Sequence, residues 1–121
     1  MAYQIKPQSN FVEVHASGRL SHWDVLGIIH QLHKNDPRKE TPDLWILDPD
    51  LDFAFHSFPP VVHGILKLIG QRLKKGCRSA ILTADEFQRS KIDLYCAEAA
   101  VLPYETLAFT SRDEALAWLL N

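Results

Sequence analysis

The sequence predicts a single α/β domain, with a mixed, mostly parallel sheet covered by helices and an N-terminal β-hairpin. Short apolar runs alternate along the chain with stretches whose apolar residues recur every three to four positions, as strands and helices do. The first two apolar segments instead alternate apolar with polar residues across a short turn, which is typical of an antiparallel hairpin. Because 121 residues suffice for one core, we expect one domain spanning 1–121.

The first half of the chain supplies the hairpin and one helix. YQI at 3–5 and FVEVHA at 11–16 are the two hairpin strands. Ser21 and Asp24 then have the spacing of a capping box, which predicts the start of a helix. Its apolar face consists of Val25, Ile28, Ile29 and Leu32. This helix should end before Pro37, because the residue preceding a proline is disfavoured in helical geometry.

The second half alternates strands with helices. Pro59 and Pro60 suit the first turn of a helix, where a missing N–H costs nothing, and Gly76 suits its C-terminal cap. Ser111 is placed to cap the last helix. The predicted elements are, in order, a strand at 44–47, a helix at 59–75, a strand at 79–83, a weaker helix at 86–98, a strand at 107–109 and a final helix after 111.

Composition narrows the class of function. The net charge of −2 argues against nucleic acid as a partner. No apolar run approaches the roughly 20 residues of an integral membrane segment, and the first residues contain no apolar signal core, so we expect a cytoplasmic protein. Cys77 and Cys96 lack the spacing of a metal or redox motif. We expect no cofactor and no metal site.

The stretch WILDPDLDFAFHSFPP, residues 45–60, carries the densest polar pattern. Asp48, Asp50 and Asp52 have the spacing of the first ligands in an EF-hand loop. Phe53, however, stands where that loop needs glycine, and Pro59 where it needs glutamate. A solvated acidic loop after a strand is the better interpretation.

A phospho-accepting receiver is a second interpretation of Asp48, which closes a middle strand. Thr83, after the next strand, resembles the threonine that receivers place beside the phosphoryl group. A Mg²⁺ site would need more carboxylates near the first strands, which offer only Glu13, and no lysine follows the last strand. This leaves at most a degenerate receiver.

Ser57 offers a third interpretation, because it directly precedes the helix that begins at Pro59. A phosphate on Ser57 would meet the positive end of the helix dipole and its free N–H groups. An ordinary role as N-terminal cap is the alternative.

The C-terminal segment LPYETLAFTSRDEALAWLL, residues 102–120, resembles the SpoIIAA-like proteins of the STAS-like superfamily. That resemblance implies a small α/β domain with helices packed on a mixed sheet. In the anti-sigma-factor antagonists of this group a partner kinase phosphorylates a serine before a helix, which implies Ser57 here, although HSFPP replaces the usual Asp-Ser-Ser-Gly-type loop. The fold's similarity to CRAL-TRIO-type lipid carriers implies a small apolar ligand as an alternative. The positions that match the family are Leu102, Pro103, Glu105, Phe109, Ser111, Glu114, Ala115, Trp118 and Leu119.

Three further sequence features support a functional site less strongly. His30 and His33 share a helix face, but two imidazoles rarely hold a metal by themselves. The helix at 59–75 combines an apolar face with nearby cations and aromatics, which fits either a core helix or one lying on an anionic membrane. Trp23 falls outside the apolar face of its helix, so we expect it to be exposed at a partner or ligand surface.

Together these patterns predict a non-enzymatic binding or regulatory module that contacts an unknown protein. A carrier or sensor of a small apolar ligand, such as a lipid, is the alternative, followed by the degenerate receiver. The expected contact surface contains Trp23, Asp48, Phe55 and Phe58, with Ser57 as a phosphorylation site. Either a monomer or a homodimer fits the sequence.

Overall fold

The structure, a computed structural model, describes residues 2–36, 41–54, 57–69 and 77–121. Its strands are β1 (Ala2–Pro7), β2 (Val12–Ser17), β3 (Arg19–Leu20), β4 (Asp43–Leu47), β5 (Asp52–Phe53), β6 (Arg78–Leu82) and β7 (Glu105–Phe109). Its helices are α1 (His22–Asn35), α2 (Pro59–Ile69), α3 (Glu86–Glu98) and α4 (Arg112–Leu119), with a 3₁₀ turn at Ala99–Val101.

The main sheet has the strand order β1-β2-β4-β6-β7. β1 is antiparallel to β2 and forms one edge, whereas every other neighbouring pair is parallel. This confirms the predicted mixed, mostly parallel sheet and the N-terminal hairpin. The two-residue strands β3 and β5 form a separate parallel pair that the sequence did not predict.

Helices cover both faces of the sheet and divide the core in two, because successive side chains of a strand point to opposite faces. In β4, Trp45 and Leu47 belong to the larger core beneath α1, α2 and α3, and Leu44 belongs to the smaller core beneath α4. The larger core also contains Val25, Ile28, Val61, Val62, Ile65, Ile69 and Ile92, and the smaller one Phe11, Ala80, Ala115 and Leu119.

The helix starts follow the capping signals in the sequence. The Ser21 hydroxyl accepts a hydrogen bond from the Asp24 N–H at 3.1 Å, and the Asp24 carboxylate accepts one from the Ser21 N–H at 2.8 Å, so the capping box is formed. Ser111 caps α4 by accepting from the Glu114 N–H. The predicted end of the second helix, including Gly76, lies outside the described residues.

α2 is a core helix in this structure, since Val61, Val62, Ile65 and Ile69 along one face are all buried. Within the ranges given above, none of the helices combines the length and apolar character that crossing a membrane requires.

A partly buried ion pair joins α4 to the sheet. Glu13 in β2 is 9% exposed at its side chain and bonds to the guanidinium of Arg112, the first residue of α4. His15 Nε2 lies 2.9 Å from the second carboxylate oxygen of Glu13. These hydrogen bonds hold the pKa of Glu13 below its ordinary value of 4.5.

The lowered pKa of Glu13 predicts a loss of stability in acid. A carboxyl whose pKa is lower in the folded state stabilises the fold above its unfolded pKa, and this contribution disappears as pH falls below about 4.5. We expect about 1 kcal/mol, because Arg112 is partly in solvent. In urea unfolding between pH 7 and pH 3, the free energy of unfolding should fall with pH in the wild type and fall less in Glu13→Gln. An equal fall in both proteins would contradict the pairing of Glu13 with Arg112.

Candidate functional site

Helices α1, α2 and α3 all begin at the carboxyl ends of the parallel strands, which is the edge where open α/β sheets usually bind their ligands. We use the name carboxyl-edge surface for Trp23, Asp48, Phe58 and Phe87 together with the 48–54 loop. Asp48 directly follows β4, and the other three residues lie at the starts of α1, α2 and α3.

Backbone hydrogen bonds fix the 48–54 loop against the start of α1. Gly18, which precedes this helix, has a φ of 72°, a left-handed conformation that favours glycine. Its carbonyl accepts from the loop, and so do two neighbouring carbonyls. The bonds run from Asp48 N to Ala16 O at 2.9 Å, from Asp52 N to Gly18 O at 2.8 Å and from Ala54 N to Leu20 O at 2.9 Å.

Asp48 stabilises the turn that begins at this residue. Its Oδ2 accepts a hydrogen bond from the Asp50 N–H at 3.1 Å, and its carbonyl accepts from the Leu51 N–H at 3.1 Å. The hydroxyl of Thr83 donates to the Phe109 carbonyl at 2.9 Å. Both side chains that suggested a receiver therefore make bonds that shape the edge of the sheet.

Gln88, which was not among the residues predicted from the sequence, joins this loop to α3. Its Nε2 donates to the Asp48 carbonyl at 3.0 Å, and its Oε1 accepts from the Ala84 N–H at 2.7 Å. Gln88 is only 6% exposed. The available signal was its position three residues after Asp85, which caps α3, because this spacing is typical of a capping box.

Removing the Gln88 amide should destabilise the fold. In Gln88→Ala the Ala84 N–H loses the Gln88 oxygen and the Asp48 carbonyl keeps only its bond from the Leu51 N–H, so we expect a loss of about 1–2 kcal/mol in the free energy of unfolding. Leu94→Ala on the same helix is the control, since Leu94 is 66% exposed. Urea unfolding measures both variants, and equal stabilities would show that Gln88 does not fasten the loop.

Ser57 does not occupy the cap of α2. The carbonyl of Phe58 accepts the first helical bond, from the Val62 N–H at 3.0 Å, which makes Phe58 the capping residue. Pro59 and Pro60 have no N–H, so the start of α2 lacks two of the donors that usually bind an anion at a helix start. A phosphate on Ser57 would therefore meet fewer free N–H groups than at a typical helix start, and phosphorylation of Ser57 stays a prediction.

Phe55 and Phe58 are the two aromatic residues that the sequence predicts at the contact surface near α2. Phe58 is half-buried, and its ring meets Tyr95 of α3 edge to face with centroids 5.4 Å apart. Phe58 therefore joins the start of α2 to α3 and is only partly open to a partner. Phe55 lies outside the described residues.

Trp23 and Phe87 are the exposed aromatics of the carboxyl-edge surface, each with 73% of its area in solvent. Trp23 stacks on His22 with centroids 4.4 Å apart, and the Lys91 ammonium lies 4.9 Å from the centre of the Phe87 ring. Sequence reasoning identified Trp23 but missed the exposure of Phe87. A signal existed, because each is the second residue of a helix and follows a capping side chain.

The two exposed aromatics stand on either side of α2. α1 follows β2 and β3, whereas α3 follows β6, and β4 lies between β2 and β6 in the sheet. Packed helices lie about 8–10 Å apart, so the starts of α1 and α3 are separated by roughly 16–20 Å. A protein partner with an interface of ordinary size, about 800 Å² on each side, can span this separation.

The histidines of α1 and the Cys96 thiol give little support for a metal site or a reactive nucleophile. His30 is exposed, and in the described ranges no three His, Cys, Asp or Glu side chains come together as a metal site would require. Burial raises the pKa of Cys96 to about 11, so this thiol stays protonated and unreactive near neutral pH.

The architecture has a solved counterpart. It is an uncharacterised protein from Shewanella loihica PV-4, described as a DUF3478 family member with a SpoIIAA-like fold. That protein is 24% identical, the alignment covers 98% of this chain and 92% of that one, and the TM-score is 0.58. The fold is SpoIIAA-like. No protein-family model matches the sequence, and no curated protein is similar to it.

Proposed function

We propose that this SpoIIAA-like domain is a non-enzymatic, regulatory binding module that contacts another protein through its carboxyl-edge surface. The observation that carries the proposal is the exposure of Trp23 and Phe87, 73% each, at corresponding positions of two helices. Large aromatics are the residues that most often dominate the binding energy of protein interfaces. A solvent-exposed pair on a surface braced by hydrogen bonds is suited to enter pockets on a partner.

The charges around this pair indicate the kind of partner. Exposed carboxylates border the aromatics, and Lys91 adds one cation beside Phe87. A partner that offers apolar pockets flanked by lysine or arginine would complement this arrangement, because charged groups at the rim steer association. The bordering carboxylates are Asp50, Asp52, Asp85 and Glu86.

Two other functions rank below this one. Carriage of a small apolar ligand is favoured by a cavity of about 60 Å³ between the sheet and α1, α2 and α3, whose walls are largely apolar. Phosphorylation at Asp48 or Ser57 has less support, because Asp48 is used in a turn and the start of α2 lacks two N–H donors.

Affinity capture from the native host tests the proposal. The bait proteins are the wild type, a Trp23→Ala/Phe87→Ala double variant and a Leu94→Ala/Val101→Ala control. Leu94 and Val101 are 66% and 63% exposed, so the control removes two similarly exposed apolar side chains elsewhere. We expect at least one protein to be retained by the wild type and the control and lost from the first double variant.

Identical retention by all three baits would refute the role of this surface. If the retained protein is a second copy of this chain, the partner is the domain itself, and sedimentation should show a dimer that the Trp23→Ala/Phe87→Ala variant lacks.

A further inference from the structure

Strand β7 forms an open edge of the main sheet. In the strand order β1-β2-β4-β6-β7, it has β6 on one side and none of the described strands on the other. β1, at the opposite edge, contains Lys6 and Pro7, two residue types that discourage another strand from pairing. β7 has the sequence ETLAF, so neither lysine nor proline blocks further pairing at this edge.

The backbone bonds of β7 show which of its residues face the open side. The Glu105 N–H and the Phe109 carbonyl bond to residues that flank β6, over 3.1 Å and 2.7 Å. Because bonding to one neighbour alternates along a strand, the N–H and C=O groups of Thr106 and Ala108 point away from β6. These groups are the donors and acceptors that the edge offers to another strand.

The side chains along this edge are largely apolar. Leu107, the middle residue of β7, is 42% exposed. A groove beside the strand is lined by Leu102, Leu107 and Trp118, among others. Glu105 is the one charged residue of β7, and its Oε2 lies 3.6 Å from the Nε of Arg78. The edge therefore exposes apolar surface, and its carboxylate already has a partner within the domain.

The edge of the domain is large enough for a dimer. α3 and α4 contact β7 from the two faces of the sheet, so the edge has three layers. Three layers of about 10 Å and a length of about 20 Å, set by the 13 residues of α3, give about 600 Å² per copy. Two copies would bury about 1,200 Å², the lower end of the range for specific interfaces. A single added peptide strand would cover only the middle layer, which favours a whole second domain.

We infer that β7 pairs antiparallel with β7 of a second copy of this chain, about a two-fold axis at Leu107. Thr106 of each copy then exchanges backbone hydrogen bonds with Ala108 of the other, which satisfies the outward groups of both strands. Leu107 lies beside Leu107 of the second copy. Glu105 lies opposite Phe109, so the two carboxylates stay apart. A two-fold contact of this kind closes on itself and leaves no β7 edge open.

This pairing goes beyond the contact proposed for the carboxyl-edge surface. Antiparallel strands turn the carboxyl ends of the two sheets in opposite directions. Each copy therefore keeps its carboxyl-edge surface open to a partner. The two five-stranded sheets become one continuous sheet with β1 at both ends.

Sedimentation velocity on the intact chain over a range of concentrations tests the inference. We expect an equilibrium between monomer and dimer. Leu107→Lys would place two ammonium groups side by side at the axis, so it should raise the Kd of the dimer roughly tenfold or more. Leu107 is partly in solvent, so this variant should still fold. The Trp23→Ala/Phe87→Ala variant should dimerise as the wild type does.

Leu107→Cys tests the register of the two strands. Directly opposite residues that are not hydrogen-bonded have Cα atoms about 4.5 Å apart in antiparallel sheets, within the range that a disulfide spans. Mild oxidation should therefore link two copies of Leu107→Cys covalently. The wild type, with its free Cys77 and Cys96, and the Leu68→Cys variant on α2 should stay unlinked.

Four results would each overturn the inference. The first is a chain that stays monomeric at every concentration, including one whose β7 pairs with a different protein instead. The second is a dimer that Leu107→Lys leaves unchanged, and the third is a dimer that Leu107→Cys does not link. The fourth is a dimer that disappears in the Trp23→Ala/Phe87→Ala variant, which would assign self-association to the carboxyl-edge surface.

Discussion

Ile65→Ala is expected to lower the free energy of unfolding by about 2–5 kcal/mol. Ile65 lies in the middle of α2, is fully buried, and belongs to the core between the sheet and three helices. The substitution removes apolar surface from that core and leaves a space that the neighbouring side chains fill only in part. Urea unfolding at neutral pH, followed by far-ultraviolet circular dichroism, measures the change.

The same substitution distinguishes a core helix from a membrane-bound one. If α2 instead lay on an anionic membrane, Ile65→Ala would weaken binding to vesicles and leave the free energy of unfolding nearly unchanged. Leu68→Ala is the matched control on the same helix, because Leu68 is partly in solvent and should cost much less. A loss below about 1 kcal/mol for Ile65→Ala would contradict the packing described here.

Replacing both exposed aromatics should produce the largest functional effect. For a partner obtained by affinity capture, we expect Trp23→Ala and Phe87→Ala each to weaken binding by about 2 kcal/mol, which is roughly 30-fold in Kd. Both side chains lie mainly in solvent, so the free energy of unfolding should change by less than about 0.5 kcal/mol. Calorimetric titration of the purified partner gives the affinities.

The control substitutions test whether the loss of affinity is confined to the carboxyl-edge surface. Leu94→Ala and Val101→Ala, which remove comparably exposed apolar side chains, should leave the affinity within about twofold. If these controls weaken binding as strongly as Trp23→Ala, the contact lies along the rest of α3 and the turn that follows it. The carboxyl-edge surface would then lose its assigned role.

Local signals allowed much of the fold to be predicted. The capping box of Ser21 and Asp24 and the cap at Ser111 depend on residues three positions apart, so the sequence contains all that determines them. The helix predicted at 86–98 has the same bounds in the structure, Glu86–Glu98. The hairpin and the succession of strands and helices along the chain followed from patterns of alternation that the sequence displays directly.

Features that depend on distant partners could not be predicted in this way. Glu13 and Arg112 are 99 residues apart, and their pairing exists only because α4 returns across the sheet. The two-residue strands β3 and β5 are too short to show any periodicity. The sequence also did not distinguish Phe58, whose ring contacts Tyr95, from Phe87, which is mostly in solvent.

Site-specific photo-cross-linking in the native host tests most directly whether a protein contacts the carboxyl-edge surface. A photoreactive phenylalanine analogue replaces Trp23 or Phe87 in turn, and Leu94 serves as the control position. The proposal predicts that both surface positions form a cross-link to the same protein and that the control position does not. Cross-links that appear equally at all three positions, or at none of them, would contradict it.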